Sequence, residues 1–72
     1  MKGFRVTDVA TGRTLGTATY DGQQWHTTSK SIGRMVAAQT EGLGRTADEV
    51  LSYYDDWSNG YIHTAVFGDD EG

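Results

Sequence analysis

The sequence predicts an α+β domain: a small antiparallel sheet with the element order β-β-β-α-α-β and its helices packed on one face. Three observations carry this. Apolar and polar residues alternate in short β-prone runs near both ends of the chain, at 4–20 and 61–67. Tight-turn dipeptides separate those runs, namely Thr11-Gly12, Asp21-Gly22 and Asn59-Gly60. Between them, residues 46–57 carry helical periodicity behind a start signal.

Phe4 and Val6 alternate with Arg5 and Thr7, and a second β-prone stretch covers Thr14 to Tyr20. A four-residue loop between them sets Asp8 opposite Arg13, Val6 opposite Leu15 and Phe4 opposite Thr17, which pairs opposite charges and apolar groups. Asp-Gly in Tyr20-Asp21-Gly22-Gln23 suits a two-residue type I′ hairpin, followed by a third strand over about Gln23 to Thr28. In that register Trp25 lies opposite Ala18 and shares a face with Gly16 and Tyr20. Leu15, Thr17 and His26 then fall on the face of Phe4 and Val6. A one-residue slip would exchange the faces.

Ser29 or Ser31 caps a helix running to about Glu41, with Ile32, Met35 and Val36 on one face and Gly42 as terminator. Thr46-Ala47-Asp48-Glu49 fits a capping box. Behind it Ala47, Val50, Leu51, Tyr54 and Trp57 mark one helical stripe. Asn59-Gly60 ends this helix. In the closing strand, Tyr61 to Phe67, Ile62, Thr64 and Val66 occupy one face and Tyr61, His63, Ala65 and Phe67 the other. Residues 1–67 form the single domain and 68–72 a disordered acidic tail.

With 72 residues and 36% hydrophobic side chains, the chain has room for one small core. It contains no Cys and no Pro, so disulfides and thiolate chemistry are excluded. Ordering costs about 1.5 kcal/mol per residue, which leaves little core to spare for a polar active site. No apolar run has the length of a signal peptide core or a membrane span, so the expected location is the cytoplasm, with no membrane partner.

Net charge is −4, but residues 1–45 balance to +3 and residues 46–72 to −7 with no Lys or Arg. Such polarity orients a partner more than it adds affinity. A scattering of six basic residues makes nucleic acid a poor partner.

Candidate chemistry is sparse. His26 and His63 with Asp55 or Asp56 lack any recognised zinc spacing, and surface imidazoles explain them better. Asp48 and Glu49 complement a helix dipole. Asp55 and Asp56 stand near a helix C-terminus, where acids are disfavoured, and this points to a basic partner. Gly42-Leu43-Gly44-Arg45 lacks the Lys-Ser/Thr of a phosphate loop, and Thr27, Thr28, Ser29 and Ser31 lack a triad. No catalytic, metal-binding or cofactor-binding residue is assigned.

Eight aromatic residues are the informative excess. Tyr54 and Trp57 belong to the helical stripe and hence to the core. Tyr20, Trp25 and Tyr61 are expected on an exposed sheet face, with Asp55 and Asp56 as its polar rim, forming a protein interface or a self-association surface.

The segments Phe4-Arg5-Val6-Thr7-Asp8-Val9-Ala10-Thr11-Gly12-Arg13-Thr14-Leu15-Gly16, Tyr20-Asp21-Gly22 and Asp55-Asp56-Trp57-Ser58-Asn59-Gly60-Tyr61 together resemble small uncharacterised proteins of actinobacteria and their phages. The resemblance rests on turn and core residues, and it implies a phage setting without assigning an activity. The expected function is therefore a non-enzymatic protein-interaction module, a minor structural or assembly component of a phage particle. The alternative is a phage-encoded inhibitor that meets a host nucleic-acid enzyme through its acidic surface.

Overall fold

The computed structural model describes residues 1–68 and shows an α+β fold with a five-stranded antiparallel sheet and two α-helices. The strands are β1 (Lys2–Asp8), β2 (Thr14–Tyr20), β3 (Trp25–Thr27), β4 (Trp57–Ser58) and β5 (Ile62–Gly68), and the helices are α1 (Lys30–Ala37) and α2 (Ala47–Tyr53). The strand order is β3-β2-β1-β5-β4, so the first and last long strands meet at the centre. Gly68 belongs to β5, and the remainder of the expected tail lies outside the described residues.

The first hairpin corrects the expected register. The Asp8 amide donates to the Arg13 carbonyl over 2.8 Å, and Thr7 pairs with Thr14. The pairing then slips, so that Val6 lies opposite Gly16 and Phe4 opposite Ala18. Leu15 is the extra residue, a β-bulge that carries the rest of β2 over to the other parity. Gly16, Ala18 and Tyr20 therefore share the face of Phe4 and Val6, and the expected face assignment is reversed. Glycine suits the slip, because a Cβ at Gly16 would sit 2.6 Å from Ile32 Cδ1 and 2.4 Å from Thr28 Oγ1.

The second hairpin is longer than a type I′ turn. Tyr20 pairs with Trp25 and Ala18 with Thr27, a shift of two residues that preserves parity. Asp21 is the reason: its Oδ1 accepts from the Gln23 and Gln24 amides at 2.8 and 2.9 Å, and Gly22 takes φ +103. An Asx turn has replaced the paired positive-φ turn.

Ser29 caps α1, accepting from the Ile32 amide at 3.2 Å. After Ala37 the chain widens into a π-helical turn, Ala38–Gly42, rather than continuing as α-helix. That turn holds buried Gln39, whose Oε1 accepts from Arg45 Nη1 at 2.9 Å while its carbonyl accepts the Arg45 amide at 3.0 Å. A buried amide side chain needs such partners.

The expected capping box is present at Thr46: its side chain accepts from the Glu49 amide, and Glu49 Oε1 accepts from the Thr46 amide at 2.9 Å. However, α2 stops at Tyr53 instead of reaching Trp57. Asp56 adopts φ 57, alone among the described non-glycine residues, and Trp57–Ser58 turns into an edge strand opposite Thr64 and His63. Fully buried Thr64 fixes this exit by donating its hydroxyl to the Tyr54 carbonyl at 2.6 Å. Asn59-Gly60 then serves the β4–β5 turn, with Asn59 Oδ1 accepting from the Tyr61 and Ile62 amides.

The core joins Phe4, Val6 and Ala18 of the sheet with Ile32, Val36, Val50, Leu51 and Tyr54 of the helical segments. Phe4 and Tyr54 rings lie 4.7 Å apart, and Trp57 meets Tyr54 edge-on at 5.4 Å. On the opposite parity, Arg5, His26 and Ala65 are exposed.

Candidate protein-contact surface

The five expected interface residues fall into three places. Trp25 packs against the core, with its ring 6.1 Å from Phe4 and 5.3 Å from Tyr20. Both Tyr20 and Trp25 are half-buried and lie on the face of Phe4, which corrects their assignment to the opposite face. The Leu15 bulge is the physical cause. Tyr61 is 80% exposed at the other end of the sheet, where the Val9 amide donates to its carbonyl at 3.0 Å. Six steps of β1 separate Lys2, paired with Tyr20, from Asp8, beside Val9, or about 20 Å. Tyr20, Trp25 and Tyr61 thus do not form one patch.

Asp55 and Asp56 sit between α2 and β4, and both are exposed. Asp56 Oδ1 lies 2.7 Å from His63 Nε2. His26 Nε2 makes the equivalent contact with Asp21 Oδ2 at 2.8 Å. The two imidazoles are consequently spent on separate local pairs, and the described residues hold no group of three or more metal-ligating side chains. Amides of Gln24 and Gln23, together with His26, hold the Asp21 carboxyl down to about 2. Burial raises the Tyr54 hydroxyl above its ordinary value, opposed by a hydrogen bond with Gln39.

Sequence reasoning missed a feature at the end of the sheet that carries Tyr61. A cavity of about 390 Å³, bounded mainly by apolar groups, lies between α1 and the sheet and is lined by Val6, Leu15, Ile32, Met35 and Ile62 with Ser29 and Ser31. Leu15 is 51% exposed on its wall, and Val9 (50%) and Tyr61 project from the same end of the sheet. Three large apolar residues exposed at one end of so small a domain define a candidate contact surface. Leu15 was legible as a strand residue, but only the bulge places it here. A second groove, of about 300 Å³, runs beside Trp25 and is lined by Thr27, Gly33, Val36, Ala37, Thr40 and Glu41 as well as Gln24. It is more polar and shows no cluster of exposed apolar groups.

Fold and surface together define a small α+β domain with an apolar end. No protein family, curated protein or solved structure matches the chain. None of the described helices is long and apolar enough to cross a membrane.

Proposed function

We propose that this chain is a non-enzymatic protein-interaction module, acting as a minor structural or assembly component of a phage particle. The observation that carries the contact role is the apolar end of the sheet, where Val9, Leu15 and Tyr61 are exposed beside the groove of Val6, Ile32, Met35 and Ile62. Exposed apolar residues gathered around a groove suit a protein partner, because burying them stabilises a complex by about 25 cal/mol per Å². The phage setting is the one implied by the sequence resemblance.

The inhibitor reading draws on the acidic balance of residues 46–72. It ranks second because part of that charge has an internal role: Asp48 bonds Lys2 and Glu49 closes the capping box.

Quantitative mass spectrometry of purified phage particles against the cleared lysate tests the proposal. Co-purification of the chain at a constant ratio to the virion proteins supports it. Recovery only in the lysate, with none in particles at any assembly stage, overturns the virion role.

A further inference from the structure

The central strand β5 is covered on its outer side for only part of its length. Short β4 pairs with Thr64 and His63 and stops. The Ile62 amide donates to Asn59 Oδ1 and its carbonyl accepts the Asn59 amide, so the main-chain groups of Ile62 point toward the β4 side. The Tyr61 carbonyl bonds Val9, on the β1 side. Because antiparallel strands alternate the direction of these groups, the amides and carbonyls of Val66 and Gly68 also point toward the β4 side. Among the described residues no strand lies there, and Ala65, Val66 and Gly68 are all exposed. Proteins ordinarily block such an edge with charge, proline or a covering segment.

We propose that the Val66–Gly68 edge of β5 accepts an extended, basic segment of a partner protein by strand addition. Charge selects the occupant. Exposed Asp55 and Asp56 immediately precede Trp57, beside the point where β4 stops covering β5, while the basic neighbours of this edge are engaged, Lys2 with Asp48 and Arg5 over the Phe67 ring. A second copy paired edge to edge would set two chains of net charge −4 against each other, which costs affinity. A segment bearing Lys or Arg meets complementary charge instead. This rests on the interaction-module reading but uses a surface separate from the apolar end, so the two fail independently.

The test is amide hydrogen exchange and ¹H–¹⁵N chemical-shift mapping of the intact chain, alone and with two synthetic peptides. One alternates lysine with valine and threonine; the other has glutamate in place of lysine. In the free chain the Val66 and Gly68 amides exchange fast while those of Ala65 and Phe67, which face β1, are protected. The lysine peptide slows exchange at Val66 and Gly68, and the glutamate peptide does not. Val66→Pro removes the outward amide without touching the β1 ladder, and weakens the lysine peptide about tenfold. Asp55→Asn with Asp56→Asn weakens it roughly fivefold and reduces its salt dependence. Should Val66→Pro fail to fold, the exchange map of the unmodified chain still decides. Protection of these amides by self-pairing without peptide, equal binding of both peptides, or binding of neither overturns the proposal. Loss of the virion role with the lysine peptide still bound would instead overturn the functional reading and leave the edge standing.

Discussion

Thr64 shows how one polar side chain fixes the geometry around it. It is fully buried, and its hydroxyl serves the Tyr54 carbonyl at the end of α2 and lies 3.3 Å from the Trp57 carbonyl. Thr64→Val keeps the shape and removes the donor, so urea denaturation should show a loss of about 1–3 kcal/mol with an unchanged slope. Gly16 is constrained by space. An added Cβ must displace Ile32 Cδ1 or Thr28 Oγ1, and the latter accepts the Thr17 amide at 2.9 Å. Gly16→Ala should therefore cost about 1–3 kcal/mol in the same assay. Asp21 supplies a pH dependence. Its carboxyl is lowered from 3.8 to about 2 in the folded chain, so the stability it contributes is fully present above about pH 4 and is lost as pH falls toward 2. Thermal melts across that window should fall less steeply for Asp21→Asn than for the wild type, and parallel curves would contradict this.

At the scale of elements, the capping box at Thr46, the Ser29 cap and the alternation of β5 were legible because each depends on residues close in sequence. What was not legible depends on a competing local bond or on tertiary packing. The Asp21 carboxylate captures two amides and lengthens its loop, and Asp56 leaves the helix in a left-handed turn so that Trp57 can join the sheet. Leu15 had the larger consequence. Pairing Val6 with Leu15 looked better by side-chain chemistry, yet burying Phe4 over Ala18 and admitting Ile32 at Gly16 requires the bulge. One residue thus turned Tyr20 and Trp25 from the expected outer face to the core face, and scattered the expected site. Deleting Leu15 makes the Thr7–Thr14 and Val6–Gly16 pairs consecutive. The variant should fold with the near-ultraviolet aromatic signature of Trp25 retained while losing the wall of the apolar groove, and loss of that signature would contradict the register.

For the molecule as a whole, the sheet order places both chain halves side by side, with β1 and β5 central and two short strands at the edges. Val9, Leu15 and Tyr61 are exposed together at one end of the sheet, whereas Asp48, Glu49, Asp55 and Asp56 are exposed around α2 and β4. These are different surfaces with different salt responses: apolar contacts persist in salt, and contacts between exposed charges weaken. The most direct test compares capture from phage lysate by the tagged wild type, by Leu15→Ser with Tyr61→Ser, and by Asp55→Asn with Asp56→Asn, at low and high salt. The account predicts that virion proteins stay bound to the wild type and the Asn variant in high salt and are lost by the Ser variant. Unchanged virion capture by the Ser variant would contradict it, as would salt-labile capture of a host nucleic-acid enzyme that only the Asn variant loses.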